Sequence, residues 1–139
     1  MVINPVIIGV VKKSNKYLLT KRIHRHKKYH EKWQFPGGGL NYGETIVECL
    51  LREMKEETNL NVKPMQLIPK IIDLIRGKWH GLLIPYLCTV TCEDQQIIID
   101  SEASAYGWFT HEEIKSLDVM PYTVEFVNEA NKINSLSDS

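Results

Sequence analysis

The stretch Ile46–Thr58 constrains the fold more than any other. Wound at roughly 100° per residue, it places Ile46, Val47, Leu50, Leu51, Met54 and Thr58 on one side, which must face a core, and Glu48, Arg52 and Lys55 on the opposite side, toward water. Glu53 and Glu57 join neither group. Four residues apart, they overlie one another at the edge of the apolar arc beside Ile46 and Leu50, with Glu56 on the same flank further out. Both ends of the helix are signposted. Thr45 and Glu48 form a Thr-x-x-Glu capping box, and Asn59 is a tolerable left-handed stop.

Carboxylates stacked at this spacing repel one another, and burial beside apolar groups adds a larger desolvation cost. A divalent cation removes both penalties, and magnesium favours such hard oxygen ligands together with phosphate oxygens and water. The competing reading is a solvated acidic face. The flank favours the ion: Gly37-Gly38-Gly39 lead toward the helix and Gly43-Glu44 abut its cap, and glycines let backbone come close to an anion or a metal.

The rest of the chain supplies layers for that helix to lie on. Val6–Val11 reads as a buried strand, Ser14-Asn15 as a turn and Lys16–Arg22 as the hairpin partner. Trp33–Phe35, Leu67–Ile75 and Leu82–Thr91 read as further strands, with short ones at Ile97–Ile99 and Tyr106–Phe109. Thr110 and Glu113 open a short helix to Leu117, and Pro121 opens a last one carrying Val124, Val127 and Ile133. The expected fold class is α/β in layers. The 139 residues suit a single domain, 1–139, with 134–139 as a disordered tail.

Net charge is zero, so nothing advertises nucleic-acid or membrane binding by the whole molecule. Locally, nine of the seventeen Lys and Arg lie between Lys12 and Lys32, just ahead of the acidic helix. A basic arm beside acids suits a metal-bridged phosphate. Cys49, Cys88 and Cys92 form no CxxC pair and indicate neither a disulfide framework nor a zinc site; Cys88 and Cys92 read as core packing. The first residues lack a signal-peptide layout and no apolar run could span a bilayer. The expected setting is cytoplasmic.

Taken together, Gly38 to Leu60 resembles the Nudix box: Gly38, five residues, Glu44, seven residues, Arg52-Glu53, aliphatic Met54, Glu56-Glu57 and a final aliphatic Leu60. Asn59 stands where the family usually has glycine. Outside the box, Trp33–Gly38 is similar to the strand leading into the motif, Leu18–Arg22 to an earlier hairpin strand, and the region of Glu102 and Trp108-Phe109-Thr110 to a late segment where many members carry an extra glutamate.

The resemblance implies an α/β/α sandwich around a mixed sheet and hydrolysis of a nucleoside diphosphate linked to another group, with Mg2+ or Mn2+. It assigns metal binding to Glu53, Glu56 and Glu57, with the carbonyl of Gly38 completing the set. Glu53 is the first candidate for the base that activates water and Glu102 the second. Arg52 is expected to point away from the acids and to pair Glu44, steadying the loop. Arg22, Arg25 and Lys28 are candidates for phosphate contacts. Among the aromatics that could stack a base, Trp79 is the more exposed choice, while Trp33 and Trp108 read as core. The leading expectation is a MutT-like pyrophosphohydrolase turning nucleoside triphosphates into monophosphate and pyrophosphate. ADP-ribose, nucleotide sugars and dinucleoside polyphosphates are the alternatives, and a nucleotide sensor that does not cut belongs to another class. A homodimer is left open, and no nucleic-acid-binding motif is present.

Overall fold

The computed structural model describes residues 2–23 and 30–137, with side chains to Ile133. The central strand is β1 (Ile3–Lys13). It turns through Ser14 and Asn15, both at positive φ, into β2 (Lys16–Arg22). Two short strands follow, β3 (Trp33–Gln34) and β4 (Gly37–Gly39), and then α1 (Ile46–Thr58). After it come β5 (Val62–Leu67), β6 (Ile72–Arg76), β7 (Trp79–Val90) and β8 (Ala103–Phe109). The chain closes with α2 (His111–Ser116) and α3 (Thr123–Ser137).

The sheet is mixed, with strands in the order β3-β2-β1-β7-β5; β4 also pairs β1, β6 pairs β7 and β8 pairs β2. β1 runs parallel to β7 from Ile3 opposite His80 to Val11 opposite Cys88, and antiparallel to its other neighbours. A strand covered on both faces should be apolar throughout, and Ile7 to Val11 meets that demand. Successive side chains then go to opposite layers. Ile7 and Val11 join Leu50 and Met54 of α1, whereas Ile8 and Val10 join Phe126, Val127 and Ala130 of α3. The result is an α/β/α sandwich, as the sequence implies. Each fully buried side chain of α1, such as Leu50 or Met54, contributes about 1.5–3 kcal/mol.

Several elements depart from the sequence reading. The strand expected over Leu67–Ile75 is two, β5 and β6, separated by a stretch containing Pro69; both pair along the same side of β7, at different heights. Ile97–Ile99 is not a strand. Its backbone follows the end of α1 instead, Ile98 N–H donating to Thr58 O at 3.0 Å. Leu51 is exposed and Cys49 takes its place in the core. Cys92 is exposed, not packed; only Cys88 of that pair is buried. Helix α3 continues to Ser137, into the stretch read as a tail. Among the described residues, no helix is long and apolar enough to cross a membrane.

Candidate active site

The glycine loop and α1 are joined by backbone and carboxylate. Gly37 sits in β4 directly over the backbone of Ile7 and Ile8, so close that any side chain would strike main-chain atoms. That approach leaves its N–H pointing at Glu57 Oε2, 3.0 Å away. One residue on, a Cβ at Gly38 would collide with the Glu53 carboxylate. Gly38 therefore leaves the space in which the Glu53 carboxylate lies, and Gly37 supplies the N–H that holds Glu57.

Glu53 is buried and Glu57 half-buried. Glu53 is 9% exposed. Burial pushes its pKa upward, partly opposed by a hydrogen bond from Arg52 Nη1 at 2.7 Å, while Glu56 and Glu102 push it further up. Burial also raises Glu57 to about 8, against the Gly37 N–H, and Glu53, Asp100 and Glu102 add repulsion. Asp100 and Glu102 arrive on the loop before β8. Asp100 N–H donates to Glu57 O at 3.2 Å and Glu102 N–H to Asp100 Oδ1 at 3.0 Å. Glu56 stands exposed on the same flank of the helix.

Arg52 does not point away from the acids. It takes Glu44 in a two-point grip, Nε to Oε2 at 2.6 Å and Nη2 to Oε1 at 2.9 Å, as expected. Its Nη1 also reaches Glu53 at 2.7 Å and Glu56 Oε2 at 3.2 Å, and Nη2 reaches Gly39 O at 3.0 Å. A helical wheel marks where a side chain leaves the axis; a guanidinium with five donors on a long stem can curl back. Glu44 is driven down to about 2, first by Arg52 and then by the Asn41 N–H, so it stays ionised beneath the loop.

A cleft of about 580 Å³ opens beside these acids, lined by Gly37, Glu57 and Glu102 together with Arg22, Gln34, Arg76, Trp79 and Tyr122. Arg22 Nη1 donates to Gln34 Oε1 at 2.9 Å. The Trp79 ring is 38% exposed and lies under Arg76 at 6.0 Å. Of the substrate-contact candidates, Arg22 and Trp79 thus line the cleft, while Arg25 and Lys28 lie outside the described residues. A larger groove of about 760 Å³ runs along α3, but its charges pair internally, Lys70 with Glu125 and Lys132 with Glu129, and it holds none of the acids above.

The family model for the NUDIX domain matches residues 3–129. The chain belongs to the Nudix family. An RNA pyrophosphohydrolase of Pelagibacter ubique (strain HTCC1062) is 31% identical, over 84% of this chain and 81% of its own length. A nudix hydrolase of Caenorhabditis elegans is 28% identical over 69% of this chain, which spans only 25% of that protein. Among solved structures, the MutT protein of Methanosarcina mazei Go1 superposes with a TM-score of 0.80 at 20% identity, covering 95% of each chain. The chain is accordingly a Nudix-type hydrolase with a MutT-like fold.

Nudix enzymes generally need divalent metal ions, and the donors here suit one. Glu53, Glu56 and Glu57 offer hard oxygens of the kind magnesium or manganese takes. Glu53 is buried and Glu57 half-buried against their own charge, the condition a cation relieves. Among the described residues, no three acid side chains already converge on one point, because Glu53 and Glu56 share the Arg52 guanidinium. Asp100, Gln34, Arg76 and Tyr122 escaped the sequence reading. Asp100, two residues before Glu102, could have been found as a second acid on that segment; the other three carry no signal before the chain is folded.

Proposed function

We propose that this Nudix hydrolase cuts the diphosphate linkage of a nucleoside triphosphate, releasing monophosphate and pyrophosphate, with Mg2+ (or Mn2+) held by Glu53, Glu56, Glu57 and the Gly38 carbonyl. The observation that carries the reading is Glu57: a half-buried carboxylate pushed up to about 8, fixed by the Gly37 N–H and crowded by Glu53, Asp100 and Glu102 in the wall of a nucleotide-sized cleft. Such an arrangement is costly unless it serves a cation.

The bound ion would neutralise phosphate oxygens and lower the pKa of an attacking water. The chain's own groups do the rest. Glu53, in contact with Arg52 and raised by burial, is the first candidate to accept the water's proton, and Glu102 at the cleft wall the second. Arg52 and Glu44 steady the loop that carries Gly38 and Gly39. Arg22 supplies positive charge to the phosphates, and Trp79 offers a face to the base.

A second reading keeps the bond and changes what carries it. The Pelagibacter ubique relative is an RNA pyrophosphohydrolase, and the 5′-triphosphate of an RNA presents the same linkage. Arg22, one of the basic residues between Lys12 and Lys32, lines the cleft. A screen of nucleoside triphosphates, 5′-triphosphate RNA, ADP-ribose, nucleotide sugars and dinucleoside polyphosphates, with magnesium and with chelator, separates these. Pyrophosphate release from triphosphates, abolished by chelator, is expected. Turnover confined to a sugar nucleotide overturns the triphosphate reading, and tight binding with no turnover at any metal concentration makes the chain a sensor.

A further inference from the structure

Part of the cleft wall is built to donate hydrogen bonds. Gln34 lies on β3, where its backbone pairs Thr20 of β2. The loop between α2 and α3 holds that strand from the other side: Trp33 N–H donates to Asp118 O and Met120 N–H to Trp33 O, both at 2.9 Å. The side-chain carbonyl of Gln34 accepts from Arg22 Nη1 at 2.9 Å and from the Tyr122 hydroxyl at 3.5 Å. A guanidinium has donors only, so the atom facing Arg22 must be Oε1. The amide is thereby oriented, and its NH2 has no partner among the described residues.

Gln34 lines the cleft. It lies three residues before Gly37, whose N–H holds Glu57, and Gln34, Gly37 and Glu57 all line the same cleft. Stacking on Trp79 would tolerate every base, since each has a π-face. Selection therefore falls to the group that meets the base edge. Guanine and uracil present a carbonyl oxygen where adenine and cytosine present an amino group. An oriented NH2 matches the first pair and confronts the second with donor against donor.

We propose that Gln34, oriented by Arg22 and Tyr122, is a specificity-determining residue that selects nucleotides with a keto base over those with an amino base. The inference rests on the reading that this cleft takes the nucleoside of the substrate. It does not depend on which linkage is cut, so binding tests it apart from the reaction.

The experiment is calorimetric titration of GMP, UMP, AMP and CMP in magnesium, on the unaltered chain, Gln34→Glu and Gln34→Leu, with thermal melts to confirm that each variant folds. Parallel assays follow cleavage of GTP and ATP. The unaltered chain is expected to bind GMP and UMP about tenfold more tightly than AMP and CMP. Gln34→Glu keeps an oxygen for Arg22 and presents an acceptor to the base, so the preference reverses; Gln34→Leu removes it. Equal binding of all four bases, an amino preference in the unaltered chain, an unchanged ratio in folded Gln34→Glu, or no binding of any base overturns the inference. Base selection without triphosphate cleavage upholds it and sinks the proposed reaction. Cleavage of GTP and ATP with equal efficiency sinks it alone.

Discussion

Burial holds the Glu57 carboxyl at about 8, whereas in the unfolded chain the same group titrates near 4.5. Between those values the folded protein binds more protons than the unfolded one, so this group lowers stability as pH rises. The Gly37 N–H can still donate to an amide oxygen at position 57. Glu57→Gln is therefore expected to raise the melting temperature of the chelator-treated protein at alkaline pH, by the equivalent of ~1–3 kcal/mol after solvent relaxation. Turnover should fall by orders of magnitude at the same time. A variant that melts lower than the parent in chelator at alkaline pH would contradict the burial penalty. Gly38→Ala should act in reverse order: its methyl meets the Glu53 carboxylate, so kcat/KM collapses while the melt moves little, because the displaced side chain can swing outward. The conflict at Glu53 and Glu57 was legible in the sequence, since two acids at the rim of an apolar arc need a reason. The path of Arg52 was not, because wheel position says nothing of where a long side chain ends.

Helix α1 carries its start and stop signals in full. Thr45 accepts from the Glu48 N–H at 3.1 Å and Glu48 returns the bond to the Thr45 N–H at 2.9 Å. Asn59 closes the helix at φ 64°, its N–H bonding Lys55 O and its side-chain amide donating to Gln96 O at 3.1 Å. That last bond gives a physical reason for asparagine in the place of the family's glycine: it ties the helix end to the loop leading to Asp100 and Glu102. Asn59→Ala, which keeps the left-handed strain and loses the tie, should cost about 1–2 kcal/mol in denaturant melts. Asn59→Gly loses the tie but relieves the strain, and should sit close to the parent. A larger loss for Gly than for Ala would refute this division. Capping and periodicity made α1 and both capping boxes readable from sequence, as they did the β1–β2 hairpin. β5 and β6 were not separable, because two apolar strands on one side of β7 differ from a single longer one only by the break around Pro69. Ile97–Ile99 has the composition of a strand, yet lies along the end of α1; tertiary context overrode propensity.

At the scale of the whole molecule, β1 sets the layers and the layers set the chemistry. Its alternation sends α1 to one face and α3 to the other, and Glu57 of α1 and Tyr122 at the entry to α3 come to line one cleft. No local pattern announces that meeting, which is why Gln34 and Tyr122 were invisible beforehand. The same arrangement links metal, protons and stability globally. In chelator, the raised carboxyl of Glu57 makes the folded state lose stability as pH climbs from about 4.5 to about 8, the window between its unfolded and folded values, and the raised carboxyl of Glu53 acts in the same direction. An ion binds the ionised carboxyls, so its affinity grows as they lose protons, and whatever binds only the folded chain stabilises it. Magnesium should therefore raise the melting temperature little near pH 5 and increasingly toward pH 9, flattening the profile seen in chelator. Each kcal/mol of added stability corresponds to roughly 3–6 °C for a domain of this size. Glu57→Gln should shrink the magnesium-dependent rise along with its pH dependence, while Glu48→Gln, on the solvent side of the same helix, should leave the rise intact. A magnesium effect of equal size across the pH range would mean that the ion does not sit on these carboxyls.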